Sequence, residues 1–305
     1  MKKTDERATQ KLCVSVSCHL IDSMVQESLD NLGYNITDTK LGEGAQGIIV
    51  SGTDNENQDV AIKLINFKSK RGKAQFQYEK FITSRLIEAK PEGICEFQHV
   101  ESSEEWGIVI MKQYESDMFN YLFEGDREAK LEENMAKSVF SSICTGLKAL
   151  HSQGIAHLDV KLENILFNIS SKEPFICDFG SSIYIPQTDG ETLFKAYGLG
   201  VRGTFEYYAP ELIRKERSYD PFKVDIYALG VLLHIMVTGL YPYLIKNPIR
   251  IAQMDVVKKE VSPACVKLIK SMLHRTPSKR PTISQVLQDP WLKATSFTYN
   301  KTFDL

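Results

Sequence analysis

The first apolar periodicity along the chain falls at Leu20, Ile21, Met24, Val25, Leu29 and Leu32, after a polar start. Residues three and four apart share a helix face, so this spacing predicts an amphipathic helix of about three to four turns. Two readings of residues 18–33 stand side by side: a helix packed on the main domain, or a segment that binds a regulatory partner. From Tyr34 to Ile65 the pattern changes to short apolar runs broken by turn residues. Tyr34-Asn35-Ile36-Thr37, Ile48-Ile49-Val50 and Val60-Ala61-Ile62-Lys63-Leu64-Ile65 predict three strands. A glycine cluster follows the first and a polar turn over residues 53–57 follows the second. Residues 74–89 predict a helix. Residues 94–115 return to strands, notably Gly107-Ile108-Val109-Ile110-Met111.

Beyond that point the chain reads as mainly helical. Residues 131–153 carry Ala136, Val139, Phe140, Ile143, Leu147 and Leu150 along one side. Residues 224–240 predict a buried helix. Ser262-Pro263 opens another, with serine as N-cap and proline at the first helical position. The order predicts an α+β chain: a β-rich small lobe, then an α-rich large lobe. The expected divisions are an N-terminal extension over 1–33, a domain over 34–292 split near residue 112, and a short tail over 293–305. The basic run at 68–73 reads as a solvated loop ahead of a helix, with a docking or targeting patch as the alternative.

Composition narrows the classes. The chain has 305 residues, 43% hydrophobic and 25% charged, which suits two globular lobes and excludes wholesale disorder. Its net charge is 37 − 39 = −2, so no bulk electrostatic grip on nucleic acid is expected. Six cysteines at 13, 18, 95, 144, 177 and 265 show neither C-x-x-C nor zinc spacing. They point to a reducing compartment, cytoplasmic or nuclear. The acidic residues Asp5 and Glu6 argue against a secretory signal, and Lys2 stands where a myristoylation signal needs glycine. Residues 226–245 run for twenty positions without Asp, Glu, Lys or Arg, long enough for a bilayer span. His234, Thr238, Gly239 and Pro242 within the run favour a soluble core helix instead.

Several motifs carry chemistry. Gly42-Glu43-Gly44-Ala45-Gln46-Gly47 matches G-x-G-x-x-G. A strand follows it rather than a helix, so it reads as a hairpin flap whose amides can approach phosphate oxygens. It lacks the G-K-[ST] of a Walker loop. Lys63 ends an apolar run, sharing a strand face with Ala61, and Glu79 on the next helix is its natural anion partner, with Glu88 the weaker alternative. In His157-Leu158-Asp159-Val160-Lys161-Leu162-Glu163-Asn164, Asp159 can take or orient a hydroxyl proton, and Lys161 can neutralise a moving phosphoryl group. Asn164, with Asp178 of Asp178-Phe179-Gly180, offers oxygen ligands to a hard cation such as Mg²⁺.

With Gly203-Thr204-Phe205-Glu206-Tyr207-Tyr208-Ala209-Pro210-Glu211, Asp225-Ile226-Tyr227-Ala228-Leu229-Gly230 and Arg280-Pro281 added, the chain resembles the eukaryotic protein kinase family over about residues 34–292. The resemblance implies a two-lobed protein kinase fold and phosphoryl transfer from ATP with Mg²⁺, or Mn²⁺ in its place, to protein hydroxyls. It implies glycine-loop amides over the phosphates, Lys63 on the α- and β-phosphates, Asp159 as base, and Asn164 with Asp178 on the metal. The adenine would meet Leu41, Ile49, Ala61 and Leu166. Met111 resembles the gatekeeper, Lys112, Gln113 and Tyr114 the hinge, and Asp117 a ribose contact. His157, Phe179 and Gly180 resemble spine and metal-loop positions. Asp225 is similar to the residue that holds the catalytic loop, and Glu211 with Arg280 to a buried ion pair. Cys177 would line the nucleotide site, as an inert packing residue or a covalent-modification site.

Lys161 two positions after Asp159, together with Thr204, is similar to the serine/threonine branch. Asp117 and Glu163 favour a basic substrate, against which Ile235 stands where basophilic relatives carry an acid. Other departures bear on control. Leu158 replaces the arginine that receives an activation-loop phosphate, so the expectation is an enzyme active without that phosphate or controlled elsewhere. Thr83 replaces an apolar spine residue and Gln46 a common aromatic. The segment from Asp178 to Glu211 is 34 residues and carries Ser181, Ser182, Tyr184, Thr188, Thr192 and Tyr197. Residues 244–260 are short for a substrate-docking helix. A pseudokinase scaffold and a small-molecule kinase are the competing readings. The first would need a missing catalytic group, and the second would lack the 204–211 segment and its Arg280 partner.

Overall fold

The glycine cluster between two apolar runs does form a hairpin. Strand β1 (Asn35–Gly44) returns as β2 (Gly47–Thr53), with Gly44 facing Gly47 at the tip. They continue into β3 (Asp59–Asn66), and the order β1-β2-β3-β5-β4 is completed by β4 (Phe97–Ser102) and β5 (Trp106–Lys112), every pair antiparallel. The computed structural model describes residues 23–44, 47–67, 70–124, 129–186, 202–246, 249–252 and 261–294. Ala45, Gln46, residues 1–22, Thr188, Thr192, Tyr197 and residues 295–305 lie outside the described residues. The described chain divides into two units. One holds the residues up to Glu88 with Glu96–Gln113, the other Ala89–Cys95 with the residues from Tyr114 on.

In the first unit, alternation along β3 sends Val60, Ile62 and Leu64 to one sheet face, where they pack with Val50, Ile108 and Ile110. Helix α1 (Ser23–Leu32) covers that core with Val25 and Leu29, both buried, while Met24 is exposed. Burying two such side chains contributes roughly 1.5–3 kcal/mol each. The helix at residues 18–33 is therefore packed on the domain across its described part, and Leu20 and Ile21 lie outside it. Helix α2 (Lys70–Ala89) starts four residues before the expected 74. Residues 70–73, read from the sequence as loop, form its first turn. Lysines are poorly placed at a helix N-terminus, and Lys73 has an anion partner in Glu104 at 2.7 Å.

After the short helix α3 (Met118–Phe123), the second unit is built on α4 (Glu133–Ser152), then, past the one-turn α5 (Pro210–Ile213), on α6 (Pro221–Thr238) and α7 (Pro263–Met272). Helix α6 begins where Asp220 accepts hydrogen bonds from the Phe222 and Lys223 amides and ends at Gly239 in the left-handed region. It is apolar and long enough to cross a bilayer, but fifteen of its eighteen residues are buried, as in the core helix of a soluble domain. Ser262 caps α7 as its sequence predicts, accepting from the Cys265 amide. Glu133 at the start of α4 joins three parts, accepting from the Ser262 backbone and hydroxyl and from Trp291 Nε1. Small sheets pair β6 (Ser116–Asp117), β8 (Ile165–Asn168) and β9 (Glu173–Ile176), and β7 (Ile155–Ala156) with β10 (Ile183–Tyr184). In the region short for a docking helix, Tyr243–Lys246 and Ile249–Ala252 pair as an antiparallel hairpin, and residues 253–260 lie outside the description.

Residues 89–95 belong to this unit for a visible reason. The Ile176 amide donates to Gly93 O and the Cys95 amide to Ile176 O, both at 2.9 Å. Gly93, with φ of +76°, also meets Gly146 of α4 backbone to backbone: a Cβ at Gly146 would come within 2.6 Å of Gly93 O. Gly146→Val is expected to lower stability by roughly 1–3 kcal/mol, the cost of overpacking, as a lower urea midpoint with unchanged slope. An unchanged midpoint would show that the contact can open without cost.

Candidate active site

In the first unit, β3 and α2 bring Lys63 and Glu79 together. Lys63 Nζ lies 2.9 Å from Glu79 Oε1, and both side chains are more than nine-tenths buried. Burial at this level makes each charge depend on an opposite charge nearby. Lys63 pairs in register with Ile49 and Val109, and Ala61 with Met111, so these four flank the lysine on the sheet. Gly42 pairs with Ile49, and Leu41 is half-buried at the same hairpin. Glu43 is exposed and paired with Lys40, which holds its carboxyl below the usual carboxylate range. Gly47 has φ of +149°, and a Cβ there would lie 2.1 Å from Leu64 O, so the hairpin tip requires glycine. Thr83 is buried on α2. At the end of β5 the Lys112 amide donates to Glu96 O and the Gln113 amide to Asp59 O. The Gln113 side chain accepts from Ser51 Oγ at 2.7 Å.

In the second unit the loop from His157 to Asn164 is held by Asp225 of α6. One carboxylate oxygen accepts from the Leu158 amide at 2.7 Å, the other from the His157 amide at 2.8 Å and from His151 Nε2 at 2.9 Å. Asp225 is fully buried. The grip offsets backbone strain: Leu158 has φ of +61°, a conformation costing of order 1–3 kcal/mol for a residue other than glycine. His157 donates from Nε2 to Cys177 O at 2.9 Å and accepts the Asp159 amide at Nδ1. That fixes a neutral tautomer and makes His157 a positioning residue. Its ring meets Phe179 edge-on at 5.2 Å between centroids. Ser182 Oγ donates to His157 O, which ties down the turn after Asp178-Phe179-Gly180.

The side chains that converge are Asp159, Lys161, Asn164 and Thr204. Asp159 Oδ1 accepts from Thr204 Oγ1 at 2.9 Å, and Lys161 Nζ lies 2.9 Å from the same hydroxyl and 3.2 Å from Asp159 Oδ2. Asn164 donates to Asp159 O at 2.8 Å and to Oδ2 at 3.2 Å. Both neighbours of that amide nitrogen are acceptors, so the Asn164 carbonyl oxygen is the atom left for a cation. Asp178 follows Cys177 at φ of +61°. Gly203 closes the group from the other side: a Cβ there would come 2.4 Å from Leu158 O.

Asp117 is an N-cap, accepting from the Asn120 amide at 2.9 Å and the Asn120 side chain at 2.8 Å. Burial raises its pKa above the usual carboxylate range, and Glu163 and Glu124 add to the rise. Leu166 of β8 is its strand partner, and Tyr114 packs on Phe175 at 4.8 Å between centroids. Tyr207 OH accepts the Leu162 amide, and burial drives its pKa far above the ordinary phenol range. Glu211 and Arg280 form a fully buried two-pronged pair, 2.6 and 2.8 Å. The Arg280 guanidinium also donates to His274 O and Lys223 O and lies over the Tyr227 ring. His151 was not singled out in the sequence, and Ser182 only as one of the hydroxyls of the Asp178–Glu211 segment. His151 is one of six scattered histidines, and its partner lies 74 residues away, so no local signal marks it.

A protein kinase domain model matches residues 36–292. Serine/threonine-protein kinase D3 of Homo sapiens is 29% identical over 92% of this chain and 32% of its own length. CBL-interacting protein kinase 31 of Oryza sativa subsp. japonica is 29% identical over 83% of this chain and 56% of its own length. Serine/threonine-protein kinase PSK2 of Saccharomyces cerevisiae is 31% identical over 83% of this chain and 23% of its own length. The chain thus spans between about a quarter and about half of the curated relatives quoted. Arg280→Ala would strand the Glu211 charge and is expected to destabilise by about 3–5 kcal/mol, read by denaturant unfolding. A loss below about 1 kcal/mol would mean that water reaches Glu211, as at an exposed pair.

Proposed function

We propose, for a chain that belongs to the protein kinase family, that it transfers the γ-phosphoryl group of ATP to serine and threonine hydroxyls of protein substrates. The observation that carries this reading is the Asp159 carboxylate, held by Thr204 Oγ1 at 2.9 Å and Lys161 Nζ at 3.2 Å. A carboxylate fixed at both oxygens can accept and orient an incoming hydroxyl without reorganising, which is the positioning that this chemistry needs. Lys161 is poised to neutralise charge on the phosphoryl group in transit, and Lys63, fixed by Glu79, to bind the phosphates of the nucleotide. The glycine hairpin offers backbone amides to the same phosphates.

The family works with ATP and a divalent cation, and Mg²⁺ is the proposal here, with Mn²⁺ as a substitute. The donors fit it: an amide oxygen from Asn164 and the carboxylate of Asp178 are hard oxygen ligands. Among the described residues no cluster of three His, Cys, Asp or Glu offers a self-sufficient metal cage, as suits a cation shared with phosphates. When bound, the cation supplies charge neutralisation to the phosphates; Asn164 and Asp178 hold and orient it.

Thr204 bridging Lys161 and Asp159 supports serine and threonine as the acceptor class, which the names of two of the three relatives quoted also carry. A reducing setting, cytoplasmic or nuclear, is the one that the buried reduced cysteines among the described residues support. Within the described part of residues 18–33, a regulatory partner would have to use the exposed side of the helix, which carries Met24, Glu27, Asp30 and Asn31, because Val25 and Leu29 are buried in the sheet core.

Purified protein with Mg²⁺, ATP and mixed peptides is expected to form phosphoserine or phosphothreonine. Asp159→Asn should lower the rate by about 10²–10⁴-fold, with nucleotide affinity kept. Nucleotide binding without transfer by the wild type would instead make the chain a scaffold. Leu158 is buried and brings no guanidinium to an activation-loop phosphate. Phosphatase-treated protein is accordingly expected to keep its activity; loss of that activity would show that another cation, such as Arg202, receives the phosphate.

A further inference from the structure

An isolated parallel bridge joins Ile94 to Ile176 within the second unit. Its two hydrogen bonds, Ile176 amide to Gly93 O and Cys95 amide to Ile176 O, are both 2.9 Å long. Continuing that register by one residue sets Cys95 on one strand opposite Cys177 on the other. We propose that Cys95 and Cys177 are a redox pair that a peroxide closes into a disulfide, one residue ahead of Asp178.

Two general properties of paired strands and one observation support the pairing. Strands joined by hydrogen bonds lie about 4.8 Å apart, inside the roughly 4.4–6.8 Å range of Cα separations that a disulfide tolerates. Side-by-side residues on parallel strands send their side chains to the same face. Both sulfurs are reduced in this structure and sheltered, Cys95 at 3% exposure and Cys177 at 8%, between the buried Ile94 and Ile176. A small uncharged oxidant suits such a site better than a bulky thiol reagent.

The chemistry balances with hydrogen peroxide as the named oxidant. The sulfur of Cys177, the less buried, attacks one peroxide oxygen. The O–O bond breaks and leaves a sulfenic acid and water. The sulfur of Cys95 attacks the sulfenic sulfur, the S–S bond forms, the S–O bond breaks, and the thiol proton leaves with hydroxide as a second water. Two thiols lose two electrons and the peroxide gains them.

The consequence falls on the cation-holding residues. The Cys177 amide donates to Asn164 O at 2.9 Å and its carbonyl accepts from His157, so a new tether at Cys177 pulls on Asn164, His157 and Asp178 together. Disturbing the supports of metal ligands typically costs about 10–100-fold in affinity or activity.

The test uses the full chain, reduced and then exposed to hydrogen peroxide, and has two arms. Mass mapping under non-reducing conditions does not depend on the chain being a kinase. It should recover one cross-linked peptide pair joining Cys95 to Cys177, lighter by two hydrogens and split by dithiothreitol. The activity arm rests on the proposed function: phosphoryl transfer should fall about tenfold and return with dithiothreitol. Cys95→Val, and as a second variant Cys95→Ala, should keep transfer after peroxide. Full alkylation of both cysteines after peroxide, a disulfide of either with Cys144, or a sulfinic acid at Cys177 alone would each overturn the pairing. Cross-linking without loss of transfer would remove the regulatory consequence and leave the modification site. Equal inactivation of the Cys95 variants would assign the loss to another residue.

Discussion

The buried carboxylate of Asp225 is the constraint on which the loop from His157 to Asn164 rests. It is an anion without solvent, and three N–H groups from the His151–Leu158 stretch satisfy it. Without it, the two backbone amides would be unpaired inside the protein and the left-handed backbone at Leu158 would lose its restraint. Asp159 and Lys161 follow directly, so their positions are inherited from a contact that touches neither of them. Because α6 carries Asp225 within a nearly all-buried helix, the packing of the second unit sets the loop geometry. The apolar run that could be mistaken for a bilayer span is the frame that fixes the chemistry.

The two buried ion pairs do different work. Glu211 and Arg280 are wholly enclosed, two-pronged and further satisfied by backbone carbonyls, so their geometry has little freedom. They tie residues 69 positions apart into one unit. Lys63 and Glu79 are also buried, and under the proposed function the lysine serves a phosphate ligand besides its carboxylate partner. A lysine is a compact point charge on a flexible stem, and it suits a partner that comes and goes.

What was legible in the sequence follows the range of the interactions. The glycine hairpin, the β3 alternation and the serine-proline start of α7 are local, and residues 42–47, 60–65 and 262–263 show them on inspection. The Lys63–Glu79 pair spans sixteen residues and could be guessed because few anions lie on the helix that follows. Glu211 with Arg280 became visible only through the family resemblance, because nothing local marks a pairing over 69 residues. His151, and the bond of Ser182 to His157 O, were missed for the same reason: each acts through a distant partner, and neither residue type is unusual where it stands. The start of α2 was misjudged because four basic residues look like a solvated loop until Glu104, from the turn between β4 and β5, enters the account.

The strip from Ala89 to Cys95 also means that neither unit is a continuous length of polypeptide. The chain leaves the first unit after Glu88, lends seven residues to the second, and returns at Glu96. The contacts of Gly93 with Gly146 and of Gly93 and Cys95 with Ile176 wait for those later residues. During synthesis, the turn between α2 and β4 therefore stays unanchored until the ribosome has delivered residues well past the end of the first sheet. A single cut cannot separate the halves cleanly: any excised first half carries an orphaned turn, and any excised second half lacks the strand that borders Ile176.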